Sequence, residues 1–335
     1  MSAASAALLS GGVRAADATQ PTAGMSDWTT ADIPPQRGRR VLVTGGNGYP
    51  QADRSGLGYQ DALALARAGA DVTIASRNQE RGEQAVQHIL AHAPGATVRF
   101  ERLDLADLTS VRAFGARMRA SRQGLDVLIN NAGVMGRLKR EVSIDGFERV
   151  FATNTLGHFA LTAELMPLLR QGQSPRIVWV TSLRIAESLP LDDLQLDRDY
   201  QYAAAYDNTK LANLMLALEF HRRSQAAGWG VSSLAAHPGV VRTNLIPDGP
   251  GLDSTEGRRF RWLPFLFQPA AQGALPTLYA ATALQAVAGG YYGPRGLRGL
   301  RGLPGTAEIP SNALDTQSAA SLWSALERLG GVALR

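Results

Sequence analysis

Short apolar runs alternate with longer amphipathic stretches along most of this chain. Runs of five or six residues that are rich in Val, Ile, Leu or Thr predict buried strands. These runs are Arg40–Thr44, Asp71–Ser76, Thr97–Arg102, Leu125–Asn130, Arg176–Thr181 and Val231–Ala236. The stretches with helical periodicity are Tyr59–Ala68, Asn78–Ala91, Leu108–Arg122, Gly146–Leu169 and Ala204–Ala227. Strands that alternate with helices of this length predict an α/β fold, a doubly wound parallel sheet with helices on both faces.

The same alternation of strands and helices predicts the domain organisation. No second alternating pattern begins farther along the chain, so we expect one domain over residues 37–330. Residues 1–36 form an N-terminal extension that we expect to be largely disordered, because residues 1–24 are rich in Ala, Ser, Thr and Gly and show no apolar periodicity. They lack the basic start and the long apolar centre of a signal peptide. The alternative explanation for them is a translation start at Met25.

Composition excludes several classes of protein. Of the 335 residues, 45% are hydrophobic and 19% are charged, which is enough for a large core. The absence of cysteine excludes disulfides and thiolate metal sites. No apolar run approaches the ~20 residues of a membrane span, so we expect a cytoplasmic protein with no integral membrane span. His88 and His92 have the spacing of a zinc pair on a predicted helix, but no third ligand is close in sequence and we expect no metal site.

The basic residues are mostly arginines. The formal net charge is +5, and arginine supplies all of the 34 basic residues except Lys139 and Lys210. The arginines are spread along the chain rather than gathered on one helix, so we expect no nucleic-acid partner. The Gly-Leu-Arg repeat at residues 295–303 is compatible with a basic patch, but we expect a surface loop there. A lysine in such a chain suggests a chemical role, since a compact ammonium can lie beside another titrating group.

Two glycine-rich segments follow the first predicted strand. The strand runs into Thr44–Asn47 (TGGN), and Ser55–Gly58 (SGLG) then begins the first helix. Glycines at such a position let the backbone approach a pyrophosphate and present helix N-terminal N–H groups to it. The pattern alone also fits a tight strand-to-helix turn, but its place between the first strand and the first helix favours a dinucleotide site.

Residues typical of ligand binding follow the next strands at the same edge of the sheet. Arg77 follows the second strand, where an acidic residue would bind a free ribose 2′-hydroxyl. An arginine instead suits a 2′-phosphate, which favours NADP(H) over NAD(H), although an ordinary surface arginine is the alternative. The third and fourth strands are followed by Asp104 and Leu105 and by Asn131, Ala132 and Gly133.

Three side chains form a candidate catalytic group. Tyr206 and Lys210 lie one turn apart on the same face of a predicted helix. An ammonium near a phenol is expected to lower the tyrosine pKa from about 10 and make it usable as an acid or base. Ser182, at the end of the fifth strand, can donate to a developing alkoxide. Asn154 interrupts an apolar helical stripe, where it either satisfies nearby backbone or anchors a water that leads towards Lys210.

In these motifs the chain resembles the short-chain dehydrogenase/reductase superfamily. The motifs that fall in the family's order are Thr44 and Gly45 with Gly56 and Gly58, Asn130–Gly133, Asn154, Ser182, Tyr206, Lys210, and Pro238 with Gly239. The resemblance extends from Trp28 to the C-terminal helix and implies a single Rossmann-type domain. Within the superfamily the chain is most similar to the retinol-dehydrogenase-like branch, near the WW-domain oxidoreductases and protochlorophyllide reductases. The stretches that support this branch are Asp32–Pro34, Lys210–Asn213 and Gly290–Pro294.

The resemblance also implies residue roles. Tyr206 would donate or accept the proton, and Lys210 would hold the nicotinamide ribose and tune Tyr206. Ser182 would orient the carbonyl oxygen, and Asn154 would position a proton-relay water. The remaining cofactor contacts implied are Gly45, Gly56, Leu57, Gly58, Asp104, Leu105, Asn131, Ala132, Gly133, Pro238, Gly239, Val240 and Thr243.

One departure from the family lies in the phosphate loop. The family separates its first two motif glycines by four positions, but Gly45 and Gly56 are eleven apart, which leaves seven extra residues at Gly48–Arg54. We expect this insertion to fold over the cofactor and to bring Arg54 and Ser55 to its phosphates, with Asp53 pairing with Arg54 in the empty enzyme. The alternative is a bulge directed outwards, since loop closure entropy grows slowly with length.

The sequence therefore predicts an NADP(H)-dependent oxidoreductase that acts on the C=O or CH–OH group of a small-molecule substrate. The alternatives are a non-catalytic NADP(H) sensor and a sugar-nucleotide epimerase or dehydratase. We expect a substrate lid around residues 244–268, in which the aromatic stretch Phe260–Phe267 suits a lipophilic substrate. Packing of that stretch onto the core or onto a partner is the alternative, and a homo-oligomer is compatible with the sequence.

Overall fold

The computed structural model of the chain describes residues 27–51 and 54–334. The expectations for residues 1–26 and for Asp53 therefore lie outside the described residues. The strands are β1 Arg40–Thr44, β2 Asp71–Ser76, β3 Thr97–Arg102, β4 Val127–Asn130, β5 Arg176–Val180, β6 Ser232–Ala236, β7 Tyr291–Gly296 and β8 Arg301–Thr306.

The α-helices include long ones, which cover both faces of the sheet, and short ones of three or four residues. They are α1 Leu57–Arg67, α2 Gln79–His92, α3 Leu108–Ala120, α4 Arg149–Phe151, α5 Gly157–Leu169, α6 Tyr202–Ala227, α7 Leu245–Asp248, α8 Thr255–Trp262, α9 Ala270–Gly273, α10 Leu275–Thr282 and α11 Thr316–Gly330. A π-helical turn, Ala152–Leu156, joins α4 to α5. Short 3₁₀ turns lie at Thr30–Asp32, Pro264–Leu266 and Ser311–Leu314.

The strands form one sheet in the order β3-β2-β1-β4-β5-β6-β7-β8. All neighbouring pairs are parallel except β7 with β8, which is antiparallel. From β1 the chain moves outwards to β2 and β3 and then returns to place β4 on the other side of β1. Ligands bind at the carboxyl ends of the strands at such a reversal, so the topology places a candidate site between the ends of β1 and β4.

Each face of the sheet has its own hydrophobic layer, because alternate residues of a strand point to opposite faces. On β1, Leu42 packs into the layer beneath α3, α5, α6 and α11, whereas Val41 and Val43 pack into the layer beneath α1, α2 and α10. All three side chains are buried. The doubly wound α/β fold predicted from the sequence is confirmed.

The expected surface loop at residues 295–303 is wrong. These residues complete β7, make the turn Leu297–Leu300 and begin β8, with Gly296 paired to Arg301. Leu297, Arg298 and Gly299 have φ values of 48°, 56° and 85°, which the tight turn requires. Glycine, proline and arginine hide the strand pattern here, and the pairing of β7 with β6 supplies the order that local sequence does not.

The folded unit begins before residue 37. Trp28 is buried, and its ring packs edge-on against Tyr279, with the centroids 5.3 Å apart. Gln36 is also buried. Residues 27–36 are therefore packed on the domain, and the expectation that they belong to a disordered extension is wrong.

Candidate active site

A cavity of about 690 Å³ lies at the carboxyl edge of the sheet. Its lining includes residues that follow β1 to β6, together with part of α6 and α7. The predicted site residues that line it are Gly45, Gly56, Leu57, Arg77, Asp104, Leu105, Asn131, Ala132, Gly133, Tyr206, Lys210, Pro238 and Thr243. The predicted residues outside its lining are Arg54, Ser55, Gly58, Asn154, Ser182, Gly239 and Val240.

The turn after β1 packs closely against the end of β4. Gly45 has a φ of 72°, and a Cβ added to it would lie 2.9 Å from the Cα of Ala132. The side-chain amide of Asn131 donates to the carbonyl of Thr44 over 2.7 Å. A Cβ on Gly58 would lie 2.4 Å from that amide nitrogen, so Gly58 acts behind the cavity wall rather than in it. The two strand ends therefore need glycine in order to meet.

This turn fits the phosphates of a dinucleotide. The N-terminus of α1, an 11-residue helix, opens on the cavity at Gly56 and Leu57. Gly56 is the N-cap and no side chain among the described residues caps the helix. An N-terminus of this kind offers backbone N–H groups and the positive end of the helix dipole to an anion.

Tyr206 and Lys210 meet in another part of the cavity wall. The Lys210 Nζ lies 5.4 Å from the centroid of the Tyr206 ring and donates to the carbonyl of Val180 over 3.1 Å. Both side chains are buried, at 7% and 4% exposure. Burial lowers the pKa of Lys210 to about 8, because an ammonium loses hydration inside the protein.

Burial has the opposite effect on the tyrosine. It raises the pKa of the Tyr206 phenol to about 12, and the Ser182 hydroxyl and Arg184 act against that rise. The expectation that Lys210 would lower the pKa of Tyr206 is therefore wrong for this structure, since the cost of burying a phenolate is larger than the gain from nearby groups. Tyr206 is protonated at neutral pH.

The Ser182 hydroxyl lies just beyond the end of β5. It accepts a hydrogen bond from the backbone N–H of Arg184 over 3.0 Å. The Arg184 guanidinium pairs with Asp207, the neighbour of Tyr206, over 3.0 Å and with Glu256 on α8 over 3.3 Å. These ion pairs connect the serine loop to α6 and to the lid.

Asn154 is fully buried in the π-helical turn. Its Oδ1 accepts from the Val134 N–H over 2.8 Å, and its Nδ2 donates to the Val134 carbonyl over 3.0 Å and to Thr209 over 3.1 Å. A Cβ on Gly133 would lie 3.5 Å from Lys210 Nζ and 3.6 Å from Asn154 Oδ1. The amide thus satisfies nearby backbone, as one of the two sequence-based alternatives expects, and Gly133 keeps a small space between it and Lys210.

Comparison with known proteins decides the family. Residues 39–248 match the family described as short chain dehydrogenase. The chain belongs to the short-chain dehydrogenase/reductase family.

Its relatives place this short-chain dehydrogenase in the retinol-dehydrogenase-like branch. It is 36% identical to retinol dehydrogenase 13 of Mus musculus over 89% of this chain and 85% of that protein. It is also 36% identical to polyprenol dehydrogenase of Mus musculus, over 91% of this chain and 88% of that one.

Solved structures of relatives share the fold. An uncharacterized protein from Mycobacterium Paratuberculosis is 36% identical, with a TM-score of 0.75 over 92% of this chain and 100% of that one. A second structure, named for an NAD(P)-dependent gluconate 5-dehydrogenase of Beutenbergia cavernae, holds bound NADP at low occupancy. It is 25% identical, with a TM-score of 0.59 over 76% of this chain and 94% of that one. Members of this oxidoreductase family bind a nicotinamide cofactor.

Two residues of this dehydrogenase that the sequence did not indicate line the cavity near α2. Asn78 and Arg81 line the cavity beside Arg77. Asn78 is the N-cap of α2, and its side chain accepts from the Arg81 N–H over 2.9 Å. Arg81 follows the cap by three residues and therefore lies in the first turn of α2. An arginine at this distance from a helix N-cap was the sequence feature that could have identified it as a cavity residue.

The insertion in the phosphate loop forms a closed bulge. The Gly56 N–H donates to the Gly48 carbonyl over 2.6 Å, which brings the two ends of the insertion together. Gln51 and Arg54 make an antiparallel bridge, and the Tyr49 hydroxyl donates to Gln84 on α2 over 2.7 Å. Arg54 and Ser55 do not line the cavity, so the geometry favours the outward bulge over the expected fold above the cofactor.

His158 is a third residue that the sequence analysis missed. It is fully buried one turn after Asn154, and its Nδ1 lies 2.9 Å from the Asn154 carbonyl oxygen. A carbonyl only accepts, so Nδ1 carries the proton and Nε2 accepts from the Thr44 hydroxyl, 2.9 Å away. Burial lowers the pKa of His158 to about 4, which keeps the ring neutral. The imidazole thereby joins the end of β1 to the π-helical turn.

The part of the lid that lines the cavity is its beginning, not the aromatic stretch that the sequence suggested. Asn244, Leu245, Pro247, Asp248 and Gly249 line it, whereas the aromatic stretch Phe260–Phe267 does not. Phe260 is buried and packs against Phe267, with the ring centroids 5.2 Å apart. The expectation that this aromatic stretch forms the substrate-facing surface is therefore wrong.

The structure also bears on metal and membrane binding. In residues 27–51 and 54–334, no group of three or more His, Cys, Asp or Glu side chains is arranged to hold a metal ion. His88 and His92 stack on each other, with centroids 4.4 Å apart. None of the helices in the described part of the chain is both long and apolar enough to cross a membrane.

Proposed function

We propose that this dehydrogenase transfers a hydride between NADP(H) and the carbonyl or alcohol carbon of a lipophilic substrate, with Tyr206 as acid and base. The observation that supports this most directly is the position of Tyr206 and Lys210. They lie one turn apart on α6 and both line the cavity that the strand ends form. A nicotinamide dinucleotide bound across those strand ends would supply or accept the hydride.

Tyr206 would act as the acid in the direction of reduction. Its pKa of about 12 keeps the phenol protonated, so it can donate to a carbonyl oxygen on which negative charge develops. Ser182 would donate a second hydrogen bond to that oxygen. In alcohol oxidation Tyr206 would have to give up its proton first, and the Ser182 hydroxyl and the Arg184 guanidinium would favour the phenolate.

The preference for NADP(H) is supported by charge at the α2 end of the cavity. Arg77 and Arg81 line the wall beside the N-terminus of α2, where a helix dipole also favours an anion. Guanidinium groups bind phosphate through paired, charge-assisted hydrogen bonds. The relative from Beutenbergia cavernae contains NADP, which agrees with this preference.

A lipophilic substrate is supported by the wall near α7. Met135, Val134, Val150, Leu245 and Pro247 line the cavity there, and apolar walls bind apolar ligands. The names of the retinol and polyprenol dehydrogenases describe lipophilic alcohols. We propose residues 244–268 as the lid over this wall and residues 37–330, with residues 27–36 packed against them, as the catalytic domain.

A substrate screen combined with one substitution tests the proposal. Aldehydes and ketones of increasing chain length, offered with NADPH and with NADH, should show the highest kcat/KM for long apolar chains and NADPH. Tyr206→Phe should keep NADPH binding and lose turnover by at least ~100-fold, because it removes the proton donor.

Tyr202→Phe is the matched control, one turn earlier on α6. The Tyr202 hydroxyl donates to Glu256 over 2.9 Å and does not line the cavity, so this variant should keep turnover. Near-normal turnover in Tyr206→Phe would contradict the role of Tyr206, whereas NADPH binding by the wild type without turnover of any compound in the screen would favour a cofactor sensor.

A further inference from the structure

A group of apolar side chains is exposed beside the site. At the end of α8, Trp262 is 71% exposed. On the segment that follows, Phe265 is 67% exposed, and Leu263 and Leu266 are also exposed. The turn between β7 and β8 adds Leu297 and Leu300. These six residues are called the apolar rim below.

The two parts of the apolar rim are joined to each other. The Arg301 guanidinium donates to the carbonyl of Phe265 over 3.3 Å, and the Gly302 N–H donates to the Gln268 side chain over 3.1 Å. A Cβ on Gly299 would lie 3.2 Å from Leu183, the exposed neighbour of Ser182. The rim is thus one continuous surface that reaches the residue next to the proposed active-site serine.

The cavity does not account for this surface. No residue of the apolar rim lines the cavity. Phe260, on α8, shows the contrasting case, because it is buried and the Arg242 guanidinium lies 4.4 Å above its ring. Contiguous exposed apolar groups of this kind mark an interaction surface.

Arginines surround the apolar rim. Helix α8 carries Arg258, Arg259 and Arg261 and one carboxylate, Glu256, which is engaged by Arg184 and Tyr202. Asp253, which precedes the helix, pairs with Arg261 over 3.7 Å, so positive charge is still in excess here. Arg298, on the β7–β8 turn, is also exposed.

This composition matches one class of partner. Tryptophan and phenylalanine with leucine penetrate the headgroup region of a bilayer, while arginines bind lipid phosphates. A cationic border is complementary to the negative surface of a bilayer that contains anionic lipids.

We propose that the apolar rim docks the protein on the surface of a bilayer that contains anionic phospholipids, without crossing it. Docking in this way brings the Ser182 side of the protein to the membrane, where lipophilic alcohols and carbonyl compounds dissolve. The binding itself needs neither cofactor nor turnover, so its test is independent of the proposed chemistry.

Vesicle flotation with the full chain tests this proposal. Vesicles of phosphatidylcholine mixed with phosphatidylglycerol should carry the protein, and vesicles of phosphatidylcholine alone should carry much less. Of the five tryptophans, Trp28, Trp179 and Trp323 are buried and Trp229 is half-buried against Phe220, so a blue shift of tryptophan fluorescence on binding that Trp262→Phe abolishes would report on Trp262. Added salt should weaken the binding, since it screens the arginines.

Two substitutions and a matched control locate the surface. Trp262→Ser combined with Phe265→Ser should lower the vesicle partition coefficient at least ~10-fold, because two large apolar side chains are lost. Leu284→Ser is the control: Leu284 is 80% exposed and follows α10 near the start of β5, at the opposite edge of the sheet, and this variant should bind like the wild type. Thermal melting checks that all variants are folded.

Three outcomes would overturn the proposal. One is the absence of binding to the anionic vesicles by the folded wild type. Another is binding that the double substitution leaves unchanged. The third is a concentration-dependent dimer, seen by sedimentation, that the double substitution abolishes, which would show that the rim is covered by a second copy of the chain.

Discussion

Two parts of the cavity wall are built in different ways. The part around Tyr206 and Lys210 is called the catalytic end, and the part formed by the N-termini of α1 and α2 is called the phosphate end. At the catalytic end Tyr206, Lys210 and Asn154 are buried, and the polar groups of Lys210 and Asn154 are paired with backbone or with other buried side chains. At the phosphate end Arg77 and Arg81 are exposed and are carried by the first turn of α2 and the residues before it. Burial makes each polar group depend on a particular partner, whereas exposed cations act nearly independently. Substitutions should therefore have larger and more specific effects at the catalytic end.

Lys210→Arg should have the largest effect. It preserves the positive charge, but a planar guanidinium cannot occupy the buried position in which the Lys210 Nζ donates to Val180. Turnover should fall by about 10²- to 10⁴-fold, the range for loss of acid–base catalysis. The measurement is kcat at saturating NADPH, with thermal melting to show that the variant folds. Turnover within a few-fold of the wild type would show that only the charge matters and that the catalytic end is as tolerant as the phosphate end.

Thr44→Val should have the next largest effect, because Thr44 connects the end of β1 to the end of β4 and to His158. Its hydroxyl accepts from the N–H groups of Asn131 and Ala132 over 3.0 and 2.9 Å and contacts His158 over 2.9 Å. Valine has the same shape but removes the partner of the Ala132 N–H and of His158 Nε2, at about 1–3 kcal/mol for an unsatisfied group, whereas the Asn131 N–H keeps the Ile129 carbonyl as a second acceptor. We expect a loss of about 2–3 kcal/mol in the free energy of unfolding, measured by urea denaturation.

Thr282→Val is the control for that substitution. Thr282 is also buried, but its hydroxyl donates only to the Leu278 carbonyl within α10, over 2.7 Å. Its loss should cost about 1 kcal/mol, as for an ordinary hydrogen bond. Equal losses in the two variants would mean that the link from Thr44 to His158 adds no stability beyond a single bond.

Arg77→Ala and Arg81→Ala should have smaller effects on cofactor binding. Each should weaken NADPH affinity about 10-fold and leave NADH affinity little changed, because each removes a charge-assisted contact to the 2′-phosphate in a solvated place. Arg112→Ala, at an exposed position on α3, is the matched control and should bind NADPH normally. Titration of cofactor fluorescence gives the dissociation constants of NADPH and NADH for the wild type and for each variant. Equal weakening of NADPH and NADH would place the arginines on a phosphate that both cofactors share.

The same contrast explains what the sequence could and could not predict. Strands β1, β2, β4 and β5 are predictable because strands covered on both faces are largely apolar runs, and Tyr206 with Lys210 because helical spacing places them on one face. The pairing of Thr44 with His158 joins residues that are 114 positions apart, which no local pattern encodes. The pKa of Tyr206 rises because the ring is buried, and burial depends on the whole fold.

The β7–β8 hairpin and Arg81 were missed for a different reason. The hairpin contains glycine, proline and arginine, whose intrinsic preference is against strands, and it is ordered by pairing with β6. Arg81 belongs to a helix with many polar residues, where an arginine that lines a cavity resembles one that faces solvent. Exposed functional residues carry little local signal, and the phosphate end is therefore less predictable than the catalytic end.

Deletion of residues 49–55 should have the smallest effect and tests the phosphate end most directly. The Gly56 N–H donates to the Gly48 carbonyl over 2.6 Å, so the deletion joins two positions that already touch and restores the four-residue spacing from Gly45 to the next motif glycine. It removes the bond from Tyr49 to Gln84, but shortening a surface loop changes the free energy of unfolding by only about 1 kcal/mol or less. Because Arg54 and Ser55 lie outside the cavity lining, NADPH affinity should stay within about 2-fold of the wild type, a difference well below the loss of one charge-assisted contact. A drop of tenfold or more in a well-folded deletion variant would mean that the bulge closes over the cofactor when it binds, and the phosphate end would then share the partner dependence of the catalytic end.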